Sequence, residues 1–178
     1  FASMLIERFT CYHRRSYVCK TGVGDVLIGA AASIADYNGV PNVSHIKDKL
    51  VEMTHLNESI YGTGIASSYQ SQKMKSGVWQ NDEMLANVCK HNVTRFPYQI
   101  GRFAQDIAGG LMVTLPSEAE FRSPETGPLL KKYLKGRKGV DVENKMRVLR
   151  LIENMTMGRN AVGYLTESMH GAGSPQAQ

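Results

Sequence analysis

Apolar residues recur at three- and four-residue spacings along most of the chain, which is the period of an α-helix. Ile46, Leu50, Met53, Ile60 and Gly64 share one face with Asn57 as its polar exception, and Ser44 stands where an N-cap belongs. Met84, Val88, Phe96, Ile100, Phe103 and Ile107 form a second long stripe. Asp82 and Glu83 fall in its first turn, where the helix dipole favours a carboxylate. Pro97 is expected to kink this helix, because proline lacks an N–H and its ring crowds the carbonyl of Val93. Met146, Leu149, Ile152, Met155 and Val162 make a third stripe, and an Ala-rich helix runs from about Gly24 to Tyr37 and ends at Asn38-Gly39.

Breaks fall at NGVPN, at SQKMKSG and across TLPSEAEFRSPETGP, with few strand signals between them. Four long amphipathic helices predict an all-α, antiparallel helical bundle filling one domain, residues 1–178. Small residues on the stripes (Ala30 to Ala32, Gly62, Gly64, Gly158, Gly163) let helices, a flat cofactor or a second subunit approach closely.

Composition narrows the class. Of the 178 residues, 42% are hydrophobic and 21% charged, as in a globular protein with one sizeable core. No apolar run has the length expected of a membrane span, and no charged-then-apolar leader is read. The start at Phe1, in what reads as mid-helix, is expected of a fragment of a longer polypeptide. The net charge of +5 is concentrated in Lys131, Lys132, Lys135, Arg137 and Lys138, within a basic loop at about 122–144. Tyr133 is the one aromatic among them, so a nucleic-acid platform is not expected, and the run reads as a solvated loop or a phosphate contact. Three cysteines make no disulfide framework and fit a reducing, cytoplasmic setting.

Four stretches carry candidate chemistry. In TGVGDVLIG, glycines 22, 24 and 29 imitate a dinucleotide fingerprint at the wrong spacing and with no preceding strand, so a helix start with Asp25 near its N-terminus is the simpler reading. In AQDIAGGLMVTLPSE, Gly109-Gly110 is either a C-cap or a backbone cradle for phosphate. In CYHRRSYVCK, His13 and Cys19 pair an imidazole with a thiolate, a set suited to zinc or an iron–sulfur site if other ligands come from elsewhere, and otherwise a packed cysteine beside a surface histidine. In TESMHGAGSPQAQ, Glu167 and His170 share a helix face, as a general base or as a solvated pair.

Taken together, ERFTCYHRRSYVCKTGVGDVLIGAA, KDKLVEMTHLNE, LANVCKHNVTRFPYQI, DIAGGLMVTLPSEAEF and YLTESMHGAGSPQAQ closely resemble the C-terminal part of the 4-hydroxybutyryl-CoA dehydratases, within the 4-hydroxyphenylacetate 3-hydroxylase family. The likeness covers nearly the whole chain except the basic loop, which is shorter here. It implies the C-terminal helical domain of an acyl-CoA-dehydrogenase-like fold, in a cytoplasmic homotetramer carrying FAD and a [4Fe–4S] cluster. It also implies conversion of 4-hydroxybutyryl-CoA to crotonyl-CoA by a radical route, with vinylacetyl-CoA Δ-isomerase activity. By the same resemblance, His13 and Cys19 are cluster ligands and His13, Tyr17 and Glu167 are catalytic. Lys20 lies beside the acyl-CoA substrate, and Asp106, Ile107, Ala108, Gly109 and Gly110 contact FAD.

Two further cluster cysteines would lie upstream of Phe1. One further departure from the family matters: His13 and Cys19 are one residue closer, with Val18 standing where the family has Gly-Gly. On a helix that deletion turns the cysteine by roughly 100°, which a loop could absorb. A cluster-free flavin monooxygenase is the alternative, and so is an oligomerisation and flavin-binding module inactive on its own.

Overall fold

The computed structural model describes residues 1–170. Helix α1 (Ala2–Ser16) passes through a 3-10 turn (Tyr17–Cys19) into α2 (Lys20–Tyr37). Helix α3 (Ser44–Tyr69) is followed by two two-residue strands, β1 (Gln72–Lys73) and β2 (Trp79–Gln80), which pair antiparallel, Gln72 with Gln80 and Lys73 with Trp79. Then come α4 (Glu83–Ala108), a 3-10 turn (Gly110–Met112), the short α5 (Glu118–Arg122) and α6 (Gly127–Tyr133), and α7 (Val142–Thr156). A π-helical turn (Val162–Thr166) leads into α8 (Glu167–His170). The fold is the expected all-α bundle.

The main core lies among α2, α3, α4 and α7. Leu27, Ala31, Ile34, Met53, Ile100, Ala104, Leu149 and Ile152 are all but fully buried there. A second, smaller cluster of Ile60, Cys89 and Val93 is covered by Tyr17, Val18 and Phe96, and it underlies the start of α2.

Asn57 is fully buried on α3 and donates from Nδ2 to Thr21 O (3.1 Å) and to Asp25 Oδ1 (2.7 Å). Gly24 makes room for it, since a Cβ at that position would lie 2.8 Å from Asn57 Cγ.

Several expectations change. Asp25 is not in a first turn, because the helix is continuous from α1 and Asp25 is instead the acceptor for Asn57. The combined helix Ala2–Tyr37 is long and apolar enough to cross a membrane by length and composition, contrary to the sequence reading. Part of that apolarity serves the core, through Leu27, Ala30, Ala31, Ile34 and Ala35. Val43, not Ser44, is the N-cap of α3, and its side chain cannot cap.

In α4, Met84 is exposed and Val88 partly so, while the packed face carries Ala86, Cys89, Lys90, Val93, Pro97 and Gly101. Helix α4 continues through Pro97 to Ala108. Helix α7 stops at Thr156, so Val162 belongs to a separate, exposed turn. The segment 122–144 is not a loop throughout, because Pro128 at the second position of α6 starts a helix there. Arg137 pins it to the end of α2, donating to Asp36 Oδ2 at 2.8 Å.

Candidate functional site

The start of α2 meets the C-terminal end of the described chain. Lys20, at the first position of α2, is buried. Its Nζ donates to Gly163 O (2.6 Å), in the π-helical turn, and pairs with Glu167 Oε2 at the start of α8. The Glu167 side chain is half exposed, so its carboxylate is held by an ammonium yet reachable from outside this chain.

Tyr17 stands one turn before Lys20. His13, on the last turn of α1, lies edge-on to the Tyr17 ring (centroids 5.1 Å apart) and stacks on Phe9 (5.6 Å). Burial raises the phenol pKa of Tyr17, and the Glu167 carboxylate and the Cys19 thiol raise it further, so the hydroxyl keeps its proton and remains a donor.

A member of this group escaped the sequence reading. Lys90, from the middle of α4, is 1% exposed, with Nζ 3.0 Å from the centroid of the Tyr17 ring and donating to Ser168 O at 3.1 Å. Its pKa is lowered to about 8, chiefly by burial and then by the charge of Lys20. A signal existed: Ala86, Lys90, Val93 and Pro97 follow helical spacing, which places a lysine on a packed face.

The structure thus places His13 against Tyr17, Tyr17 near the Lys20–Glu167 pair, and Lys90 over the Tyr17 ring. His170 is exposed. The GAGSPQAQ end of the last motif lies outside the described residues.

The residues expected as cluster ligands form no such group. Cys19 is exposed on a 3-10 turn between two helices. Among the described residues no three His, Cys, Asp or Glu side chains converge to hold a metal. His13 and Cys19 would make at most two of the four ligands that an iron–sulfur cluster needs.

At the proposed flavin segment, Asp106 is half exposed and pairs with Lys49 at 2.7 Å. Ile107 and Ala108 are buried in the main core. Gly109 takes φ 81°, and a Cβ on it or on Gly110 would meet nothing within 4 Å. The glycine pair is both a helix terminus and an open stretch of backbone that a cofactor could approach.

The sequence description of the 4-hydroxyphenylacetate 3-hydroxylase C terminal matches residues 2–178. The chain belongs to this family. It is 58% identical to the 4-hydroxybutyryl-CoA dehydratase/vinylacetyl-CoA-Δ-isomerase of Clostridium aminobutyricum, over 100% of this chain and 38% of that protein. A solved oxygen-tolerant archaeal 4-hydroxybutyryl-CoA dehydratase from N. maritimus superposes with a TM-score of 0.96 at 84% identity, over 99% of this chain and 35% of that one. The oxygenase component of 4-hydroxyphenylacetate 3-monooxygenase, solved with FAD and 4-hydroxyphenylacetate, shares the fold at a TM-score of 0.82 and 22% identity, over 92% of this chain and 34% of that one. The chain of this family member therefore spans little more than a third of the length of those relatives.

Proposed function

We propose that this chain is the C-terminal helical domain of a dehydratase that converts 4-hydroxybutyryl-CoA to crotonyl-CoA and water, with vinylacetyl-CoA Δ-isomerase as a linked activity. The observation that carries this reading is the Lys20–Glu167 pair set beside Tyr17 and His13, in a chain this similar to two such dehydratases. The reaction must take one proton from Cα, which the thioester acidifies, and one from Cβ, which it does not; the C4 hydroxyl leaves with one of these protons as water, and the other is returned to C4. Glu167 Oε is the proton acceptor and later the proton source, with the Lys20 ammonium fixing the carboxylate's orientation. The Tyr17 hydroxyl, held protonated, hydrogen-bonds the departing oxygen. His13 lies against Tyr17 as a second proton carrier, and Lys20 lines the substrate side.

FAD and a [4Fe–4S] cluster, when bound, would supply one-electron chemistry and a Lewis acid. The backbone at Gly109-Gly110 with Asp106 would meet the flavin, and His13 and Cys19 would offer two cluster ligands. The remaining cluster ligands, and the rest of the acyl-CoA site, belong to a longer polypeptide that works as a cytoplasmic homotetramer. Residues 1–178 alone are inactive in this reading.

The helical path from Tyr17 to Cys19 favours a second reading at one point, a flavoenzyme without a cluster. The test is the anaerobically purified full-length protein, assayed for crotonyl-CoA formation and for iron, sulfide and flavin. Four irons and four sulfides per FAD with turnover support the dehydratase. Flavin without iron selects the second reading, and no turnover with a full cofactor complement removes the first.

A further inference from the structure

Lys90 has no part in the chemistry assigned above, yet it is the most deeply buried charged group in the described residues. Burying an ammonium is costly, and an apolar side chain of similar volume would fill the space without that penalty. Helix α4 around it is otherwise lined by Ala86, Cys89 and Val93, residues that pack without charge.

What Lys90 touches is specific. Its ammonium sits over the face of the Tyr17 ring at 3.0 Å, where the ring quadrupole attracts a cation. The same ammonium donates to the carbonyl of Ser168, which is itself fully buried and anchored through Oγ to Tyr164 O. Ser168 directly follows Glu167. One side chain on a long, rigid helix therefore grips both the ring of Tyr17 and the backbone beside Glu167, two groups from opposite ends of the described chain.

We propose that Lys90 is a positioning residue of this site, clamping the Tyr17 ring and the Ser168 carbonyl so that the phenol and the Lys20–Glu167 pair keep a fixed geometry. The proposal rests on the dehydratase reading for its kinetic test, and on contacts alone for its structural one. Groups that act on the Lys90 charge are Lys20 and Arg14, which oppose it, and Glu167 and Cys89, which favour it; Tyr17 lies under it.

The test uses the full-length holoenzyme and the variants Lys90→Met, Lys90→Gln and Lys90→Arg. Lys90→Met is expected to lower kcat about 100-fold, the scale of a small misplacement of reacting groups, with KM within about threefold and Tm not lowered. Lys90→Arg, which keeps a cation over the ring, recovers part of kcat. Wild type loses kcat/KM on the alkaline side with a midpoint about 8, and Lys90→Met lacks that limb. A purely structural lysine would move none of these at unchanged Tm, so a Lys90→Met enzyme with kcat within twofold of wild type and the same alkaline limb overturns the proposal. If Lys90→Met does not fold, Lys90→Gln is read by the same criteria.

If wild type turns over no 4-hydroxybutyryl-CoA, the dehydratase reading fails separately. A double-mutant cycle in Tm with Tyr17→Leu then decides: shifts that do not add support the clamp, and additive shifts overturn it.

Discussion

Val18 is seated in the notch left by Gly64: a Cβ on Gly64 would lie 2.5 Å from Val18 Cγ2 and 2.7 Å from Val18 Cβ. The contact fixes the turn that carries Tyr17 and Cys19 against α3, beside the buried Ile60 and Cys89. Gly64→Ala gains helix propensity, about 1 kcal/mol, but meets an overpacking cost of about 1–3 kcal/mol. Thermal unfolding should show a lower Tm for Gly64→Ala, and Val18→Ala added to it should restore most of the loss. A Gly64→Ala protein as stable as wild type would mean that the turn moves freely.

Gly24 and Asn57 make a polar counterpart to that contact. An alanine at 24 would press on the Asn57 amide, which could shift only by giving up its bonds to Thr21 and Asp25. Since a buried polar group left unpaired costs about 1–3 kcal/mol, Gly24→Ala should be destabilised by about that much despite its better helix propensity. Urea denaturation curves check this through the midpoint at unchanged slope.

Much of this was legible in the sequence, and the failures have physical causes. The α3 stripe was right because its packed face is apolar and evenly spaced, and its polar exception, Asn57, turned out to hold α2. The α4 stripe was wrong at its start because large apolar residues, Met84 and Val88, face outward while small ones and Lys90 pack. Close helix contact selects small side chains, and hydrophobicity alone cannot see that preference. Lys90 was passed over because a lysine reads as surface unless its neighbours three and four residues away are weighed. The meeting of Lys20 with Glu167 joins positions far apart in the chain, and no local pattern predicts it; the family resemblance marked both residues, but not their ion pair.

Glu167→Gln separates chemistry from stability. Its side chain is half exposed and a glutamine amide oxygen can still accept from the buried Lys20 ammonium, so stability should fall by about 1–2 kcal/mol. If Glu167 is the proton acceptor proposed above, its loss should lower kcat by about 10²- to 10⁴-fold in the full-length enzyme. Steady-state kinetics and a melting curve on the same sample check both numbers, and unchanged kcat would remove Glu167 from the site.

Lys90 contributes to the pH dependence of stability with a definite sign. Its folded pKa, about 8, lies below the ordinary lysine value of 10.5. Below pH 8 both states are protonated and the fold bears the full cost of the buried charge. Between about 8 and 10.5 the unfolded chain binds more protons, so stability from this group rises with pH, and above that the cost is gone. Burial of Cys11 and Cys89 raises their thiol pKa values, and this acts in the opposite direction, lowering stability as pH climbs past 9. The two trends mask each other in wild type alone. Comparison with Lys90→Met isolates the lysine: the variant should be more stable by about 1–3 kcal/mol at pH 7, and that advantage should shrink steadily toward pH 10. Denaturation midpoints of the pair at pH 7, 8, 9 and 10 measure it. A constant difference would mean that Lys90 does not titrate in this range, and a variant less stable at pH 7 would mean that the contacts with Tyr17 and Ser168 outweigh the cost of burial.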